Sequence, residues 1–100
     1  ADSTKGGIFM ADKIAVIGAV IEHPDQHQER FNQVVSEFKG IVKGRMGIPF
    51  PEEQISVISI TVVGSLDEIN SLTGKLGNIP SVVVKTSISK KELHDNPTCR

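Results

Sequence analysis

Two long apolar runs restrict the folds that are open to this sequence. Residues 14–21 read IAVIGAVI and residues 55–63 read ISVISITVV, so apolar side chains occur in both alternating sets of positions. Neither run approaches the roughly 20 apolar residues that a membrane span requires, and both have the length of a β-strand. Runs of this kind are typical of central strands that are buried on both faces.

A helical pattern follows each apolar run. Residues 23–25 (HPD) open the first helix, because proline is accommodated at the first helical position. Its apolar stripe consists of Phe31, Val34, Val35 and Phe38. Residues 65–68 (SLDE) form a capping box that begins the second helix. Gly40 is placed to end the first helix in the left-handed conformation, and Gly74 inside the second predicts the close approach of another backbone.

Two further strands, at residues 41–48 and 81–89, complete a β-α-β-β-α-β order. Residues 41–48 carry two glycines and two cations, which favours an edge strand. Right-handed crossovers then predict an α+β, ferredoxin-like architecture: a four-stranded antiparallel sheet of order 4-1-3-2 with two helices on one face.

Two helices leave the other face of this sheet uncovered. Because the central strands are apolar on both sides, that face would expose a patch of several hundred Å². A second copy of the chain is the cover we expect, as a dimer or a tetramer, since most soluble oligomers are symmetric homo-oligomers. A second copy could also join edge to edge along Ile41–Ile48. The predicted interface residues are Ile17, Ile21, Ile41, Val42, Gly44 and Met46.

Composition limits the domain organisation and the kind of partner. The 100 residues suffice for one domain, predicted at residues 10–90, with a leader or disordered segment at 1–9 and a flexible tail at 91–100. The net charge of −1 disfavours a nucleic-acid-binding surface. No signal peptide or membrane segment is visible. The single cysteine, Cys99, indicates a reducing cytoplasm.

The turn after the first strand is the candidate effector site. Glu22, His23, Pro24 and Asp25 join a strand end to a helix N-terminus, whose free amides attract carboxylates. Arg45 on the edge strand is a candidate partner for an anionic effector. The alternative is an ordinary turn at a helix start, because every helix start has such amides.

His23 and His27 are weak candidates for a metal site. Their spacing of four residues places both on one helix face, but a tight site needs three or four ligands and no third is evident. No nucleophile–base set or paired carboxylates stand out either. The sequence therefore predicts no bound metal, no cofactor and no enzymatic activity.

Two motifs carry a resemblance to a known family. GRMGIP at Gly44–Pro49 and LTGKLGNIPSVVVKT at Leu72–Thr86 resemble the iron-only hydrogenase system regulators, short ACT-like proteins similar in fold to the C-terminal domain of the nickel-responsive repressor. The resemblance covers about residues 13–90. It implies a homo-oligomeric regulator, and ACT-like domains generally bind small effectors, often amino acids, at subunit interfaces near the first strand–helix turn.

The resemblance does not imply that this chain binds nickel. The repressor's DNA-binding arm has no counterpart here, and no His-x-His pair precedes a cysteine. Two alternatives to an effector-binding regulator stay open. One is a protein-interaction module without a ligand, and the other is a metal sensor that uses His23 and His27.

Overall fold

Four strands and two helices alternate in the computed structural model, which describes residues 12–93 and the side chains of residues 12–91. The order is β-α-β-β-α-β, which confirms the predicted α+β class. The elements are β1 (Asp12–Glu22), α1 (Pro24–Glu37), β2 (Val42–Phe50), β3 (Ile55–Gly64), α2 (Leu66–Gly77) and β4 (Val82–Leu93).

The strands form one antiparallel sheet of order β2-β3-β1-β4. This is the predicted order 4-1-3-2 counted from the opposite edge, so that prediction is confirmed. The two long apolar runs are the two central strands, β1 and β3. Each has a hydrogen-bonded neighbour on both sides, and this position is where continuous apolar runs are expected.

Both helices cover the same face of the sheet and bury the core against it. Alternate residues of β1 and β3 point toward the helices and are almost inaccessible to solvent. The largest fully buried side chains are Phe31, Ile17, Ile21, Ile58, Ile60, Ile69, Leu72 and Leu76. We call the opposite, uncovered side of the sheet the open face.

The predicted capping box begins α2. Oγ of Ser65 accepts from the backbone N–H of Glu68 at 3.1 Å, and the backbone N–H of Ser65 donates to Oε1 of Glu68 at 2.9 Å. Two helix-terminal donors are satisfied by side chains in this way. The residue at which α2 begins is therefore determined by hydrogen bonds within its own first turn.

Several predicted boundaries were wrong. α1 ends with Phe38 as its C-cap, and no glycine within residues 12–93 has a positive φ, so Gly40 is not a left-handed cap. β2 continues through Phe50, which the edge of a sheet allows despite Pro49. β4 continues to Leu93, past the end of the strand predicted at residues 81–89. The predicted leader at 1–9 and residues 94–100 of the tail predicted at 91–100 lie outside the described residues.

Candidate functional site

The open face carries nearly all of the exposed large apolar side chains in the described part of the chain. Seven large apolar side chains are exposed within residues 12–91, and six of them lie on this face. The six are Val16, Val20, Met46, Ile48, Phe50 and Val83; the seventh, Leu66, is on α2. Four strands of about nine residues make a face of roughly 19 Å by 30 Å. Six exposed large apolar side chains on one such face are characteristic of an interaction site.

The apolar side chains on the open face include one continuous row. Val20 pairs with Val83 on one side and with Val57 on the other, and Val57 pairs with Ile48. Paired residues of antiparallel strands point to the same face. These four residues, which we call the apolar row, therefore cross all four strands side by side.

The predicted interface residues divide between the two faces of the sheet. Ile17 and Ile21 are completely buried beneath the helices, and Ile41 is 8% exposed in the same core. Val42 pairs with the buried Val62 and packs on that core too. These four side chains therefore do not lie on the open face. Both sets of alternating residues in β1 are apolar, so the run does not indicate whether the set with Ile17 and Ile21 faces the helices.

Gly44 and Met46 do lie on the open face. Gly44 pairs with Thr61 and Met46 pairs with Ser59, and both partners belong to the exposed set of β3. Met46 is 63% exposed, the highest value among the large apolar side chains. The GRMGIP motif thus contributes to the open face through alternate residues of an edge strand.

A second feature lies at the sheet end where β1 finishes and β3 and β4 begin. His23, Gln54 and Ser81 all have positive φ, and they are the only non-glycine residues in the described part of the chain that do. The backbone N–H of His23 donates to the carbonyl oxygen of Gln54 at 2.9 Å, and that of Glu22 donates to the carbonyl oxygen of Ser81 at 2.9 Å. Hydrogen bonds thus join the connection that follows β1 to the connections that precede β3 and β4, and each of the three contains one left-handed residue.

The candidate effector residues lie partly around a cleft at this sheet end. Pro24 and Asp25 line an open cleft of about 220 Å³ together with Pro51 and Gln54. Nδ1 of His23 lies 3.1 Å from Oε1 of Gln54. Sequence reasoning missed Gln54, whose loop gives no signal of contact with the residues near position 23.

Arg45 is not part of this group. Its guanidinium carbon lies 5.8 Å from the centre of the Phe31 ring, and its Nη2 donates to Oδ1 of Asn32 at 3.0 Å. Phe31 is two helical turns beyond Pro24, or about 10 Å along α1 at 1.5 Å per residue. Arg45 therefore attaches the edge strand β2 to the middle of α1.

The weak metal candidates have few potential co-ligands. His23 begins α1 and contacts Gln54, while His27 is half-buried one turn further on. No group of three or more His, Cys, Asp or Glu side chains within the described residues could hold a metal ion. His94 and Cys99 lie outside that range.

The LTGKLG motif has structural contacts on α2. Oγ1 of Thr73 lies 2.8 Å from Oγ1 of Thr86 on β4, and Nζ of Lys75 lies 3.2 Å from Oε1 of Glu37 on α1. The expectation of a close backbone near Gly74 was wrong, because a Cβ at that position would meet no atom within 4 Å.

Among the helices that the structure describes, none is long and apolar enough to cross a membrane.

The element order, the sheet and the two helices on one face define a ferredoxin-like α+β domain. Residues 13–86 match the family model described as "TM1266-like: Iron-only hydrogenase system regulator, putative". This chain therefore belongs to that family, which confirms the resemblance noted from its motifs.

Comparison with solved structures supports the same assignment. The uncharacterized protein TM1266 from Thermotoga maritima superposes with a TM-score of 0.76 and is 29% identical to this chain. The match covers 79% of this chain and 99% of the Thermotoga protein. No curated protein sequence matches the chain.

Proposed function

We propose that this chain is a cytoplasmic regulatory module of the iron-only hydrogenase system that carries out no catalysis itself. In this proposal it assembles as a homo-oligomer through the open face and responds to a small anionic or amino-acid effector near the start of α1. The family assignment supports the regulatory role. One observation carries the assembly: six exposed large apolar side chains share a single face of the sheet.

The physical reason for assembly is the free energy of removing this face from water. Burial of apolar surface is worth about 25 cal/mol per Å². Val16, Met46 and Val83 are each close to half exposed or more, so a cover would remove a large part of their surface from solvent. Another sheet of the same width can pack on this face, because sheets stack face to face at about 10 Å.

Light scattering after size-exclusion chromatography tests the assembly. We expect a mass of at least twice the 10.8 kDa of the chain at tens of micromolar. Val20→Glu places a charge in the middle of the apolar row and should give a folded monomer. Leu66→Glu is the matched control, because Leu66 is 41% exposed but lies on α2. A wild-type monomer, or an oligomer that survives Val20→Glu, contradicts the proposal.

The effector is proposed for the cleft beside Pro24 and Asp25. Support comes from the N-terminal end of α1 there, because the positive end of a helix dipole favours anionic groups. A thermal-shift screen of amino acids, small anions and divalent metals tests it. Stabilisation by one amino acid or anion supports effector binding, whereas no stabilisation by any compound favours a protein-interaction module without a ligand. A metal-dependent shift that is lost in His27→Ala would favour the metal sensor.

A further inference from the structure

Two opposite charges flank the apolar row on the open face. Glu22 is two residues beyond Val20 on β1, and Lys85 is two residues beyond Val83 on β4. Because β1 and β4 are antiparallel, the two steps run in opposite directions. At 3.3 Å per residue, each charge lies about 7 Å from the row. The carboxylate and the ammonium group are thus on opposite sides of it, and both residues are exposed.

A two-fold axis along the row brings these opposite charges together. Such an axis turns a second copy over, so that its row lies on the row of the first. A residue of the first copy on one side of the row then faces a residue of the second copy that lies on the same strand, equally far from the row on its other side. Glu22 faces Gly18 of the second copy, and Lys85 of that copy lies one strand away, a lateral distance of about 5 Å.

Gly18 provides room for this arrangement. It pairs with Lys85 on β4 and with Ser59 on β3, and it has no side chain on the open face. A Cβ there would meet only the carbonyl oxygen of Lys85, at 3.9 Å. The side chain of Glu22 from the other copy can therefore approach the sheet closely at this point.

The same axis also matches apolar groups at the β2 edge. Phe50 lies on the Glu22 side of the row, and Met46 lies on the other side, opposite Ser59. The operation places Phe50 of one copy over Met46 of the other. A thioether against an aromatic ring is a favourable contact. Phe50 is 43% exposed and Met46 63% exposed, so both have surface to bury.

A two-fold axis parallel to the strands does not give this match. If this axis passes between β1 and β3, at the centre of the sheet, the Glu22 residues of the two copies lie only one strand spacing apart laterally. Like charges at this distance repel and are disfavoured in an interface. Of these two axes, the positions of Glu22 and Lys85 favour the one that follows the row.

The overlap in this arrangement is centred on the apolar row. Glu22 is the last residue of β1, so the two sheets overlap over the row itself and the row of side chains on each side of it. In plan this overlap measures about 380 Å² from strand spacing and rise. A second copy is a partner of matching width and twist, since stacked sheets align within about 30°.

We propose that two copies of this chain pack open face to open face about a two-fold axis along the apolar row, with Glu22 of each copy beside Lys85 of the other. This rests on the proposed function, which requires assembly through the open face. It goes further by specifying the symmetry axis and the residues that determine the register.

Charge reversal tests this geometry. Glu22→Lys leaves only positive charge at the two positions, and Lys85→Glu leaves only negative charge. Each variant alone should dimerise at least about tenfold more weakly, because two attractive contacts become repulsive. An equimolar mixture of the two should form a heterodimer, and the double variant Glu22→Lys/Lys85→Glu should dimerise like the wild type. Sedimentation equilibrium at low and high salt measures all four samples.

The controls separate this geometry from assembly in general. Glu29→Lys and Lys39→Glu change exposed charges on the helical side and should dimerise normally. Circular dichroism verifies that every variant is folded. If Val20→Glu dissociates the dimer while the mixture and the double variant show no recovery, the open face is the interface but the proposed axis is wrong. If the wild type is a monomer, the proposed function fails first.

Discussion

Gly64 shows how closely the end of β3 is packed. A Cβ added there would lie 2.8 Å from Cγ2 of Ile41 and 3.0 Å from Oε1 of Glu68. The first atom belongs to a buried core residue, and the second accepts the hydrogen bond from Ser65 that begins α2. A methyl group would therefore disturb both the core and the helix start.

Substitution of two glycines by alanine should have opposite effects. Gly64→Ala should lower the free energy of unfolding by about 1–3 kcal/mol, because an overpacked core must distort. Gly74→Ala should raise it by about 1 kcal/mol, since α2 has open space there and alanine is the better helix former. Urea denaturation measures both. Equal effects of the two variants would refute this account of the packing around Gly64.

At the scale of elements, the connection from α2 to β4 is a tight turn with an unfavourable residue. The backbone N–H of Val82 donates to the carbonyl oxygen of Ile79 at 3.2 Å, with Pro80 and Ser81 between them. Ser81 has φ 67°, which a type II turn requires at its third residue and which glycine adopts most easily. The turn therefore holds serine in a conformation that costs about 1 kcal/mol.

Two substitutions of Ser81 should show that its left-handed backbone conformation lowers the stability of this turn. Ser81→Gly should raise the free energy of unfolding by up to about 1 kcal/mol, because glycine has no Cβ to clash in this conformation. Ser81→Val should lower it by at least about 1 kcal/mol, since a β-branched side chain is poorly tolerated there. Thermal unfolding measures both differences. A more stable valine variant would contradict the left-handed assignment.

The elements were predictable from sequence where the signal was local. The capping box, the proline at the start of α1 and the two central apolar strands depend on neighbours within a few residues. The face of β1 that carries Ile17 was not predictable, because Val16 and Val20 on the other face are equally apolar. The contact of Gln54 with His23 was also missed, since it joins loops that are 31 residues apart.

At the scale of the whole molecule, assembly and stability should be linked. If the folded chain dimerises, dilution shifts the equilibrium toward the unfolded monomer by mass action. We expect the unfolding temperature to fall by on the order of 5 °C on hundredfold dilution of the wild type. The Val20→Glu variant should unfold at a temperature that is independent of its concentration. Differential scanning calorimetry makes this comparison, and a wild type that is insensitive to dilution would argue against a dimer.

The strand order also determines when the domain can fold during synthesis. β1 is the first strand of the described chain, yet its neighbours in the sheet are β3 and β4. On the ribosome its apolar residues therefore emerge well before either hydrogen-bonding partner, and β4 is the last of the described elements to appear. Long-range pairing of this kind is slow and leaves nascent chains prone to aggregation. The nascent β1 thus remains exposed until almost the whole domain has been translated, which makes it the segment a chaperone would be expected to bind.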